Sequence, residues 1–171
     1  MRGPAVILKW SAEFELGIEP MDLTHREFVE QLNALLRLPD DRVIEGFTRL
    51  IDHTVAHFGR ENAWMREHSY AGAEAHVKEH ERVLKVMTAI AHFMETGGPR
   101  MGRMVARELA DWFRQHARSM DAELAKFLRK AEAGGIAATP ATRKSPGVPR
   151  RTRVRRAPRP VSSAGIKRWK S

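Results

Sequence analysis

Two short stretches carry side chains at a spacing that can grip a cation: His57-Phe58-Gly59-Arg60-Glu61 and His76-Val77-Lys78-Glu79-His80. In each, ligand-type residues stand four apart, which on an α-helix stacks them on one face a turn from each other. An imidazole at one turn and an imidazole or carboxylate at the next can converge on a single ion. Nitrogen and carboxylate ligands without sulfur suit iron, manganese or zinc rather than copper(I) or an iron–sulfur cluster. Either pair alone is weak evidence. A lone histidine on an apolar face is more often a hydrogen-bonded core residue.

The elements that must position these residues are helical throughout. Residues 1–19 lack helical periodicity, and Val6, Leu8, Trp10, Phe14 and Ile18 suit an extended arm laid over a core, with Gly17 marking a turn. Pro20 and the capping acid Asp22 open a first helix that reaches about Leu36, with Phe28, Val29, Leu32, Leu35 and Leu36 in phase with His25. Asp40 or Asp41 is expected to cap a second helix to about His68, whose stripe is Val43, Phe47, Leu50, Thr54, His57, Glu61 and Trp64. Gly59 in its middle is unfavourable by about 1 kcal/mol relative to alanine. A third helix covers about Ala73 to Met94 with His76, His80, Val83, Leu84, Met87 and Ile90 on one face. After Thr96-Gly97-Gly98-Pro99 a fourth runs from about Met101 to Ala133, striped by Val105, Leu109, Trp112, Phe113, His116, Met120, Leu124 and Phe127. Four amphipathic helices joined by short loops predict an all-α, up-down-up-down four-helix bundle.

With 171 residues and no cysteine, the chain suits one domain without disulfides or thiolate ligands, in keeping with a reducing cytoplasm. No apolar run approaches the ~20 residues of a membrane span, and no signal peptide is read at the start. The net charge of +9 is unevenly placed. Eleven of the 30 Lys and Arg, and none of the 21 acids, lie from Gly134 onward, so residues 1–133 are nearly neutral. The expected division is a helical domain over 1–133 and a disordered Pro/Arg-rich basic tail over 134–171. Such a tail can contact an anionic partner, a nucleic acid or a membrane surface, with Trp169 stacking or inserting. The absence of aromatics between its arginines favours a plain solvated extension.

All four helices place histidine on the apolar stripe: His25, His57, His76 with His80, and His116. Core filling explains this poorly, because neutral imidazole still needs hydrogen-bond partners. Glu61 and Asp121 join them. Five nitrogens and two carboxylates are too many ligands for one ion and suit two, and a carboxylate can span the roughly 3.5–4 Å between paired metals. One spacing is awkward. His116 and Asp121 are five apart, about 140° on a regular helix. Either a π-type bulge intervenes or Asp121 reaches round from the stripe's edge. His53, His68 and His92 are expected on the surface.

The set His25, His57-x3-Glu61, His76-x3-His80 and His116-x4-Asp121 resembles the hemerythrin family in its bacterial form, the bacteriohemerythrins. The resemblance covers about residues 8–130 and takes in Trp10, Gly17-Ile18, Asp22, His57-Phe58 and Met65. Thr24 stands where bacterial members often have Gln, Asn62 where an acid commonly follows the glutamate, and Tyr70-Ala71 where a Tyr-Pro turn is usual. The resemblance implies a cofactor of two iron ions joined by an oxo or hydroxo group. His76, His80 and His116 would hold one iron and His25 and His57 the other, with Glu61 and Asp121 bridging. It further implies reversible dioxygen binding at the two-histidine iron, for storage, delivery or sensing, rather than enzymatic turnover. Leu32, Trp112 and Phe113 are expected to line that position. The alternatives are reaction with nitric oxide or peroxide, and an oxygen-sensing interaction protein acting through its tail.

Overall fold

The computed structural model describes residues 7–134. Among them all regular structure is helical: α1 (Glu19–Leu35), α2 (Val43–Glu67), α3 (Ala73–Gly97), α4 (Arg100–His116) and α5 (Ala122–Ala133), with a π-helical turn over Ala117–Asp121 joining the last two. α4, the π turn and α5 together form the fourth long helix. α1 packs on α2, α2 on α3, α3 on α4 and α4 back on α1, which closes the ring of an up-down-up-down bundle. No helix among the described residues is long and apolar enough to cross a membrane. The expected tail and its anionic partner fall outside the described residues.

Each helix buries the stripe its periodicity marks, and the apolar interior falls into two clusters. The larger holds Phe14, Phe28, Leu32, Phe47, Leu50, Phe58, Met87, Leu109 and Phe113 among others. The smaller holds Met21, Met65, Leu124, Ala125 and Leu128. Along α1, α2 and the fourth helix, the candidate ligands lie between the members of one cluster and those of the other.

The N-terminal arm is fixed by side-chain acceptors. Asn33 Oδ1 accepts from the Ile7 and Leu8 amides, and its Nδ2 donates to the Leu8 carbonyl at 2.7 Å. Gly17 takes a φ of +74°, a left-handed conformation that glycine adopts without a Cβ penalty. Leu8 and Phe14 are buried, as the arm's apolar pattern requires.

Two expected helix starts are differently built. Ile18, not Asp22, is the residue before α1, and Pro20 sits in its first turn. The Asp22 carboxylate instead accepts from the Leu16 and Gly17 amides at 2.7 and 3.0 Å, tying the arm to α1. Asp40 and Asp41 lie in a short 3-10 turn (Asp40–Arg42) ahead of α2 and make no capping hydrogen bond. These ends are closed by the preceding turn rather than by a side chain. α3 runs three residues past Met94 to Gly97.

Gly59 faces solvent, and a Cβ built there meets nothing within 4 Å. No packing reason holds a glycine at this place. Gly59→Ala should therefore raise unfolding free energy by roughly 0.5–1 kcal/mol, seen as a higher denaturation midpoint in urea with an unchanged slope.

Candidate metal centre

Seven side chains from the four long helices meet in the interior: His25 of α1, His57 and Glu61 of α2, His76 and His80 of α3, His116 of α4 and Asp121 of the π turn. None is more than 4% exposed. The helical spacing brings them to one level, with one adjustment. Five residues separate His116 from Asp121, and the π turn lengthens that stretch so that both face inward, with His116 Nε2 3.1 Å from Asp121 Oδ1. Of the two ways to reconcile this spacing, the structure takes the bulge.

The donors form two groups. In the first, His116 Nε2 lies 3.1 Å from His76 Nε2 and 3.2 Å from His80 Nε2. Asp121 Oδ1 is 3.1 Å from His76 Nε2, and Glu61 Oε2 is 3.3 Å from His80 Nε2. In the second, His57 Nε2 is 3.0 Å from Glu61 Oε1, and His25 Nε2 is 3.3 Å from Asp121 Oδ2 and 3.7 Å from Glu61 Oε1. Each carboxylate thus turns one oxygen to each group.

Hydrogen bonding does not account for this packing. His116 Nε2 has three polar neighbours near 3.1 Å, yet a ring nitrogen offers one proton or one lone pair. Both Asp121 oxygens, Glu61 Oε2 and both His25 nitrogens are buried with no hydrogen-bond partner, although imidazoles and carboxylates lie beside them. Buried polar atoms in that condition cost on the order of 1–3 kcal/mol each. The atoms are aimed at common points rather than at one another. Two nitrogens bound side by side to one cation at ~2.1 Å stand roughly 3 Å apart, which is the spacing found here. The donor set fits a pair of metal ions.

Charge points the same way. Burial pushes the Glu61 and Asp121 carboxyls up, and Asp121 adds to this at Glu61, but His57 and His25 at Glu61, and His116, His25 and His76 at Asp121, outweigh it and hold both well below the usual carboxylate range. Burial opposes protonation of His25, yet Asp121 and Glu61 overcome it and raise its pKa to about 9. The cluster thus attracts positive charge between its carboxylates. Burial pushes His80 down, keeping its lone pair available.

Several positioning residues were not legible in the sequence. Asn62 Oδ1 accepts from His80 Nδ1 at 3.0 Å, which leaves Nε2 to face the cluster. Phe58 stacks on His80 with ring centroids 3.8 Å apart and planes within 3°. His53, expected on the surface, is only 11% exposed in its side chain. Its Nε2 donates to the Thr24 carbonyl at 3.1 Å, and its ring sits 6.3 Å from that of His57. Phe113 meets His25 edge-on at 5.1 Å, as the expected lining requires. Trp112 does not join it there and stacks on His116, beside the three-imidazole group. Leu32 is fully buried in the larger apolar cluster.

Comparison with known proteins agrees with this geometry. The bacteriohemerythrin of Ralstonia nicotianae is 30% identical over 122 residues, covering 71% of this chain and 89% of that protein. That of Stenotrophomonas maltophilia is 28% identical over 141 residues, covering 75% and 92%. Among solved structures, a crystal structure of a hemerythrin point mutant superposes with a TM-score of 0.60 at 23% identity, covering 71% of this chain and 97% of that one. The pattern of the Hemerythrin HHE cation binding domain matches residues 16–128, and the chain belongs to the hemerythrin family.

Proposed function

We propose that the seven side chains hold two iron ions and that the protein binds dioxygen reversibly. The observation that carries this reading is the division of the carboxylate oxygens. Glu61 gives Oε2 to the His80 side and Oε1 to His57, and Asp121 gives Oδ1 to His76 and His116 and Oδ2 to His25. A one-ion site has no need of that arrangement. A two-ion site requires it. Glu61, Asp121 and the five histidines would hold two ferrous ions, which would supply the electrons for reversible dioxygen binding.

The chain's own residues set what the centre can do. Three imidazoles surround one position and only two the other, so an exogenous ligand is best accommodated on the His25 and His57 side. The walls there are aromatic: Phe113 lies against His25, Phe28 and Phe14 lie against Phe113, and Phe58 lies against His57. All four are buried, which keeps bulk solvent away from this side. Reversible binding would draw on that exclusion of solvent. A storage or sensing role draws on the same pocket.

The test is spectroscopic. Reduced, iron-loaded protein should gain a visible charge-transfer band when exposed to dioxygen and lose it under argon, through repeated cycles. Bleaching after one exposure, or sustained consumption of dioxygen, would speak for turnover instead.

Two further outcomes follow from the donor set. Purified protein should carry about two irons per chain, and His57→Ala about one, read by metal analysis. Chelation should also cost stability, because metal binds the folded state. A ligand at a hundred times its dissociation constant contributes about 2.7 kcal/mol. For a domain of this size that is a fall on the order of 10 °C in thermal midpoint, read by circular dichroism.

A further inference from the structure

A cleft of about 260 Å³ opens between α3 and the fourth helix and ends on His116. Its lining includes Glu79, Arg82, Trp112, Gln115 and Ser119. It is the side on which the three-imidazole group comes nearest to solvent, and one ring covers that approach. The Trp112 indole lies over the His116 imidazole, with centroids 4.5 Å apart and planes 23° from parallel. Its edge meets Phe58 at 5.9 Å, and Phe58 in turn stacks on His80.

A stacked ring at a cleft wall needs something to hold it, and the structure supplies an anchor from the neighbouring helix. Trp112 Nε1 donates to Glu79 Oε1 at 2.7 Å. Arg82, one turn further along α3, donates to both oxygens of the same carboxylate at 2.6 and 2.8 Å. The two-pronged contact fixes the carboxylate in plane and orientation. Glu79 stands between His76 and His80 in sequence but points away from the cluster, with 23% of its side chain exposed. It is no ligand.

We propose that Arg82, Glu79 and Trp112 form a shutter over His116, in which Glu79 is a positioning residue acting through the indole. The shutter governs how readily small polar molecules in the cleft, water and metal-chelating anions among them, reach the three-imidazole group. As far as it concerns metal retention, the proposal rests on the di-iron reading above.

The test reads His116 directly. Full-length metal-free protein is treated with diethyl pyrocarbonate, and acylation of each histidine is followed by peptide mass mapping. Glu79→Leu removes the acceptor at similar size and should speed acylation of His116 roughly tenfold, the worth of one charge-assisted hydrogen bond in an opening equilibrium. The buried His25 should keep its slow rate. Glu79→Gln retains an oxygen for the indole and should restore most of the protection. Trp112→Phe removes the donor, so adding Glu79→Leu to it should change nothing further. An unchanged His116 rate in Glu79→Leu overturns the proposal. So does a parallel rise at His25, which would mean general loosening, or additive effects in the double variant. With iron loaded, Glu79→Leu should release metal to a chelator faster than the unsubstituted protein. If the unsubstituted protein took up no iron, the di-iron reading would fall while the acylation result stood on its own.

Discussion

Seven polar side chains at the centre of a bundle this small are a cost that apolar packing cannot meet. Carboxylates and imidazoles lose their water there, and five of the atoms at issue on Glu61, Asp121 and His25 find no hydrogen bond in exchange. The arrangement makes sense only with positive charge held between Glu61 and Asp121. Much else follows from that constraint. The ligands lie in a layer between two apolar clusters, so the helices cannot slide past one another without disturbing it. The aromatic residues gather round the layer because rings can pack closely against imidazoles without competing for their nitrogens.

The two halves of the layer are differently furnished. Around His76, His80 and His116 the protein has invested in orientation. Asn62 turns one ring, and Phe58 and Trp112 press on two. Around His25 and His57 it has invested in dryness, with Phe113 and its aromatic neighbours and no comparable set of hydrogen bonds to the rings. His57 Nδ1 and His25 Nδ1 are both buried without partners, as is His76 Nδ1 in the other half.

The burial of the seven candidate side chains was legible in the sequence because helical periodicity alone decides which face they occupy. His25 falls in phase with Phe28 and Leu32, and Glu61 with His57, before any partner helix is known. Four stripes each with a histidine also imply a common axis. What stayed hidden depends on contacts between helices. Nothing near Asn62 in the chain says that His80 will lie against it, and nothing in the pairing of Glu79 with His80 says that Trp112 will reach across. His53 was expected on the surface, yet the Thr24 carbonyl of another helix takes it in. Helix starts were misjudged for a related reason. Asp22 has the chemistry of a cap, but the Leu16 and Gly17 amides of the returning arm claimed it first.

The π turn between α4 and α5 has a consequence for how this stretch tolerates change. Arg118 and Ser119 lie on its outer side, exposed, where side-chain identity is free to vary. Residue number is constrained in one direction. A regular helix turns about 100° per residue, so a position added here would swing Asp121, and with it Leu124 and Leu128, to another bearing. Excising one instead leaves His116 and the aspartate four apart, the spacing that a straight helix already keeps on one face. Spelling is negotiable in this segment, and it can shorten but not grow.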